Sequence, residues 1–243
     1  MNRYLFLCVS VFFAAITVLP MTATASWQPE ITIGLSQGVS EVRLSATSGA
    51  LYVYDDPEKE PMMKIPQGQE LSVRMIRDRF LANEKELKGE RLVIQPESTG
   101  FVQVNGMPYR GFITLLKKQG MTVVNNVPVE DYLYGVVPKE MPPSWSAEAL
   151  RAQSVAARTF ALKNRKRHMA EGFDLCNTAH CQVYEGMSAE MRTTTEAVNS
   201  TRGEVLFYKG AVIDALFHTD SGGMTEFSEH VWGSPVPYLR AVK

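Results

Sequence analysis

Cysteine is scarce in this sequence, and so is any excess of one charge. Three cysteines in 243 residues are too few for the disulfide framework of a small secreted miniprotein. Lysine and arginine number 25 against 26 aspartates and glutamates. That balance argues against nucleic acid as a partner, because general nucleic-acid binding needs a strong basic excess. There is no internal repeat and no low-complexity segment, which sets aside solenoids and fibrous proteins. What remains is a globular chain, 45% hydrophobic and 21% charged, long enough for one large domain or two small ones.

Long apolar runs are also missing, with one exception. Leu5 to Leu19 is uncharged and largely apolar, yet shorter than the ~20 residues a membrane-spanning helix needs. It follows Arg3 and precedes Ala23-Thr24-Ala25, the small residues of an A-x-A cleavage site, so residues 1–25 read as a secretory signal peptide. A membrane partner is expected only if that segment stays attached. The expected location is extracytoplasmic, in the periplasm or cell wall. Removing the segment takes Cys8 with it and leaves Cys176 and Cys181.

The expected fold class is α+β. Residues 26–120 form a β-rich N-terminal region, with strands expected at 31–35, 42–45, 51–54, 71–76, 92–95, 101–104 and 112–115, where β-formers cluster or alternate between turn signals. Residues 121–243 form a mixed portion built around one buried, alanine-rich helix over 146–163, capped by Ser144 or Ser146. A short helix over 131–137 precedes it, ended by Pro138. Lys163-Asn164-Arg165-Lys166-Arg167 reads as a solvated helix end that suits the macrodipole. Two further strands are expected over 204–208 and 211–217, joined at Lys209-Gly210.

Three segments can carry chemistry. Glu140 sits among Val137, Pro138, Met141 and Pro142; a carboxyl in apolar surroundings has a raised pKa and can serve as a general acid near neutrality. Spacing alone favours an exposed glutamate on a proline-rich loop. Cys176, His180 and Cys181 offer three zinc-type ligands within six residues. His168, Asp174, His218 or His230 would have to complete a four-ligand site, while three ligands plus water would describe a catalytic zinc. A local Cys176–Cys181 disulfide is the alternative in an exported chain. Ser221-Gly222-Gly223 has little bulk to hold a ligand off the backbone, and a tight turn is its simpler reading. The sequence contains neither G-x-S-x-G, nor H-E-x-x-H, nor a P-loop.

Taken together, the segments resemble the SpoIID/LytB family of bacterial cell-wall proteins. The resemblance is densest over residues 126–142, which run from Asn126-Val127-Pro128 to Lys139-Glu140-Met141-Pro142. It continues through Ser144-Trp145 and Glu148 to Thr159, then 174–184, 217–226 and Pro237-Tyr238-Leu239. It implies a lytic transglycosylase that cleaves peptidoglycan glycan strands, preferring strands stripped of stem peptides and leaving 1,6-anhydromuramic ends. Glu140 matches the family's catalytic glutamate. Gln153, Arg158, Gln182, Tyr184, Ser221 and Gly222 are implied as groups that orient Glu140 or the glycan. The resemblance also favours zinc at Cys176, His180 and Cys181. Some relatives are described as enhancers of cell-wall amidases, so the alternative is a non-catalytic wall-binding enhancer, and an amidase is an expected partner. A zinc amidase built on the Cys/His cluster is a further rival. Members of the family usually continue beyond the point matching Pro237-Tyr238-Leu239, whereas this sequence stops at Lys243; a short form or a fragment is expected.

Overall fold

The structure is a computed structural model, and it describes residues 29–243 apart from 98, 99, 119 and 219. The expected signal peptide, including Arg3 and Cys8, lies outside the described residues.

Among the described residues, fifteen strands and four α-helices follow one another in an α+β arrangement, with the strands concentrated before residue 129. A seven-stranded sheet has the order β13-β1-β12-β11-β8-β3-β4. Its members are β1 (Glu30–Val39), β3 (Leu51–Tyr54), β4 (Met63–Ile65), β8 (Arg91–Pro96), β11 (Phe112–Lys117), β12 (Met121–Pro128) and β13 (Leu175–Cys176). A six-stranded sheet has the order β10-β9-β2-β5-β6-β7. It contains β2 (Glu41–Ala46), β5 (Leu71–Ile76), β6 (Arg79–Ala82), β7 (Lys85–Leu87), β9 (Val102–Val104) and β10 (Met107–Tyr109).

Alternation sets which side chains point inward. Along β2 and β5, Val42, Leu44, Leu71 and Val73 are buried while their neighbours are not. They join Ile33, Leu92, Ile94 and Val123 of the larger sheet in one hydrophobic cluster. That cluster continues into the helices through Tyr132, Val136, Ala157 and Val198. The boundary anticipated at 120/121 therefore falls inside the β11–β12 hairpin, and the core runs across it.

β12 leads directly into α1 (Val129–Glu140). Glu130 and Asp131 occupy its first turn, where the positive end of the helix favours acids. Pro138 does not end this helix, as the sequence suggests, but lies within its last turn. The proline removes only its own N–H, and the chain keeps its helical course because Met141 N–H still reaches Val137 O at 3.0 Å. α2 (Ala147–Lys163) begins at Ser146, whose hydroxyl accepts from Ala149 N–H. α3 (Arg192–Ser200) packs against both α1 and α2.

The region after residue 203 is less regular than expected. β14 (Phe207–Tyr208) and β15 (Ala211–Val212) form a two-residue-deep hairpin through Lys209 and Gly210. Residues 213–217 are not in a strand, because β15 pairs with β14 alone among the described residues. α4 (Ser228–Trp232) is a single turn and a half near the end. No helix among the described residues is long and apolar enough to cross a membrane.

Candidate functional site

α1 delivers Glu140 at its C-terminal end. The side chain is half-buried, and its Oε1 accepts the Val183 backbone N–H at 3.2 Å. Burial pushes the carboxyl above its ordinary value, more than the Val183 hydrogen bond pulls it down. The negative end of α1 acts in the same direction as burial. Glu140 and Val183 line a cleft of about 380 Å³ together with Phe160, Arg167, His180 and Phe217. Among the described residues that line it, Glu140 is the one carboxylate.

Segment 181–184 forms one wall, and its alternate side chains are tied down. Gln182 is buried; its Oε1 accepts from Tyr132 hydroxyl at 3.3 Å and its Nε2 donates to Ala157 O at 3.4 Å. Tyr184 is also buried, and its hydroxyl donates to Asn125 Oδ1 at 2.9 Å. Its ring lies 4.9 Å from that of Tyr132. Gln182 and Tyr184 thus anchor the backbone that presents Val183 N–H to Glu140, but neither side chain lines the cleft.

The other expected contributors lie elsewhere. Arg158 is 1% exposed and forms a two-pronged ion pair with Glu130, at 2.9 and 2.7 Å. Gln153 is buried, and its Nε2 has no hydrogen-bond partner among the described residues. Ser221 and Gly222 are exposed in a turn closed by Gly222 N–H donating to Asp220 Oδ1. None of these four lines the Glu140 cleft.

Beside the cleft, the fold brings four metal-type ligands together. β13 runs parallel to β1, pairing Cys176 with Gly34. Gly34 is required there because a Cβ would stand 2.5 Å from the Phe173 ring. The turn after α2 carries His168, whose ring stacks on Phe173 at 5.1 Å. One ligand atom from each of His168, Cys176, His180 and Cys181 falls within 4.8 Å of the others. Cys181 Sγ lies 3.4 Å from His168 Nε2, and both sulfurs lie 3.6 Å from His180 Nδ1. Tetrahedral zinc bonds to sulfur and nitrogen would separate neighbouring ligand atoms by about 3.3–3.8 Å. The donor set and its spacing fit zinc. His168 Nδ1, on the far side of its ring, faces Glu171 Oε1 at 3.4 Å, the kind of partner that orients a ligating histidine.

Both cysteines are free, and no disulfide joins them. For Cys176, burial is outweighed by hydrogen bonds from Thr178, His180 and Cys181, which hold the thiol at about 6. Burial pushes Cys181 up to about 11. Asp174, another candidate ligand, is committed instead to Thr32 and to the Lys166 N–H. His218 and His230 make their contacts with Asp220 and Glu226. The sequence left the fourth candidate open because His168 lies eight residues before Cys176; its pairing with Phe173 across a short turn brings it to the other three.

Residues 117–208 match the family model of SpoIID, the stage II sporulation protein. The chain is 40% identical over 162 residues to an uncharacterised protein of Brachyspira hyodysenteriae, covering 66% of this chain and 44% of that protein. It is 47% identical over 111 residues to the amidase enhancer of Bacillus subtilis, covering 46% of this chain and 15% of that protein. With stage II sporulation protein D of Bacillus subtilis the identity is 39% over 135 residues, or 49% of this chain and 39% of that protein. The matched segments span less than half the length of each of these relatives.

Proposed function

Because this chain belongs to the SpoIID/LytB family, we propose that it is an exported peptidoglycan lytic transglycosylase with Glu140 as its acid and base. One observation carries the reading: a single half-buried carboxyl with a raised pKa lines the cleft. Ordinary glycosidases use two carboxyl groups, one to protonate the leaving oxygen and one to attack or to activate water. A lytic enzyme needs one. Glu140 protonates the glycosidic oxygen as the bond to the muramic acid anomeric carbon breaks. The C6 hydroxyl of the same sugar attacks that carbon, and the Glu140 carboxylate takes its proton. The products are a shortened strand and a 1,6-anhydromuramic end, with no water consumed. The nucleophile belongs to the substrate, which removes much of the entropic cost of bringing it in. Strands already stripped of stem peptides are the preferred substrate, so an amidase that strips them is the expected functional partner.

We assign the His168, Cys176, His180 and Cys181 cluster to zinc. Four protein ligands close the coordination sphere, so the ion would supply folding free energy rather than a reactive water. The cluster fixes the chain immediately before Val183, and that is how it serves the cleft. Cleavage of the leader after Ala25 would give a mature protein beginning at Ser26, which N-terminal sequencing of the exported form checks.

The test is to incubate the mature protein with peptide-free glycan strands and analyse the ends by mass spectrometry. Anhydromuramic ends from wild type and not from Glu140→Gln support the transglycosylase. Reducing ends would assign the nucleophile to water. The name of one relative, an amidase enhancer, favours a second reading, a wall-binding protein that stimulates an amidase. That reading expects strand binding that survives Glu140→Gln and no glycan cleavage by either form.

A further inference from the structure

The basic stretch after α2 does not remain a uniformly solvated helix end. α2 stops at Lys163. Arg165 approaches Asp174 at 4.0 Å, and the Lys166 backbone N–H donates to the other Asp174 oxygen at 2.9 Å. Lys166 has a φ of 69°, a left-handed conformation that a lysine adopts only when its surroundings hold it there. The chain turns at that point, and the next side chain, Arg167, lines the cleft that contains Glu140. Its guanidinium lies 3.4 Å from the His180 ring nitrogen. Among the described residues no carboxylate lies within ion-pair distance of it. Among the described residues, Arg167 is the only lysine or arginine lining that cleft.

A guanidinium without a carboxylate partner, set in a cleft beside a carboxyl that must be protonated to act, is placed for an anion brought by the ligand. Its planar fork matches a carboxylate with two parallel hydrogen bonds, which an ammonium cannot reproduce. A peptidoglycan glycan strand offers one anion per repeat, the lactyl carboxyl of muramic acid. In an intact wall that carboxyl is tied up as the amide of the stem peptide and carries no charge. Hydrolysis of the amide frees it. We propose that Arg167 is a specificity-determining residue that binds the free lactyl carboxylate, and so distinguishes peptide-stripped strands from peptide-bearing ones by charge. The inference rests on the peptidoglycan reading above and adds the residue and the chemical group responsible for the preference.

The experiment compares stripped strands with the same strands after the lactyl carboxyl is converted to a primary carboxamide, which removes the charge and adds almost no bulk. Binding is measured by calorimetry on the full mature protein carrying Glu140→Gln, so that strands stay intact, with and without Arg167→Gln. KM for both strands is measured on the proteins that retain Glu140. With Arg167 present, the carboxylate strand binds about tenfold more tightly, a preference that weakens as salt is raised. Arg167→Gln brings the ratio close to one, and Arg167→Lys restores part of it. Zinc content and circular dichroism of each variant exclude a general disturbance of the neighbouring His168. Equal binding of the two strands by the Arg167 protein, an unchanged ratio in Arg167→Gln, or no binding of either strand would each overturn the proposal. A tenfold binding preference without anhydromuramic ends from wild type would instead overturn the transglycosylase and leave the role of Arg167 standing.

Discussion

Val183 N–H donates to Glu140 Oε1 at 3.2 Å across 43 residues of sequence. It holds one carboxyl oxygen and leaves the other for the cleft. The hydrogen bond favours the ionised form, but burial of the same group outweighs it and the pKa lies above the usual 4.5. Protons therefore bind Glu140 more tightly in the folded chain than in the unfolded one. Two consequences follow, and they run in the same direction. Activity that needs the protonated carboxyl extends above pH 4.5 and declines as pH rises through the folded value. Stability has the same sign: against Glu140→Gln, the wild type loses ground as pH rises from below 4.5 through the folded value, and matches it most closely in acid. Glu140→Gln should lower the production of anhydromuramic ends by about 10²–10⁴-fold and leave the protein folded. Rate profiles and thermal melts between pH 3 and 8 check both statements.

Metal content gives a second prediction. The purified protein should hold about one zinc per chain by elemental analysis, in keeping with a four-ligand cluster. His168→Ala and Cys181→Ala should each remove it. A strong chelator should lower Tm by about 5 °C or more, given that 1 kcal/mol moves the Tm of a chain this size by about 2–4 °C. Added zinc should restore it to the wild type and not to the variants. Retention of full zinc by His168→Ala would remove that residue from the ligand set.

The Glu130–Arg158 pair predicts a cost in stability away from the cleft. Arg158 donates to both Glu130 oxygens and also to the carbonyls of Val198 and Glu204, while Glu130 accepts a further bond from Gly203 N–H. The pair joins α1, α2 and the turn after α3. Side-chain exposures of 1% and 7% mean that losing one partner leaves a buried charge uncompensated. Arg158→Met should cost about 3–5 kcal/mol in urea unfolding. The added change Glu130→Gln should recover a good part of that loss, because it removes the stranded charge.

Much of the framework was legible because it is written in local pattern. The strands from 31 to 115 carry β-formers in alternation, and Ser146 announces the start of α2. The short strands were hidden by their turns. β5–β6 and β6–β7 are joined through Arg77-Asp78 and Asn83-Glu84, all with φ between 44° and 66°, a conformation usually signalled by glycine or by Asn-Gly. β12 was obscured by Asn125, a polar residue that is wholly buried because it donates to the carbonyls of Arg110 and Phe112 and accepts from Tyr184. Glu140 stood out by its apolar neighbours and by resemblance. Val183, its hydrogen-bond partner, had no signal of its own, since a backbone N–H is the same at every residue. Arg167 was masked by a run of like charges in which each residue has a different fate.

Gly135 tests how closely the cleft's two walls must approach. It lies in the middle of α1, where replacing glycine with alanine ordinarily stabilises a helix by about 1 kcal/mol. Here a Cβ would stand 2.7 Å from Tyr184 Cε2 and 2.8 Å from the Gly186 carbonyl oxygen. The tyrosine ring is fixed by its hydrogen bond to Asn125, and a backbone carbonyl cannot swing aside as a flexible side chain does. Overpacking of this kind costs about 1–3 kcal/mol, so the clash outweighs the gain in propensity. Gly135→Ala should therefore be less stable than wild type in urea unfolding. It should also weaken cleavage, because the displaced segment, 184–186, continues the wall that carries Val183 to Glu140. A variant more stable than wild type would show that this wall yields without cost, and the close contact of α1 with segment 184–186 would not be needed to hold the cleft.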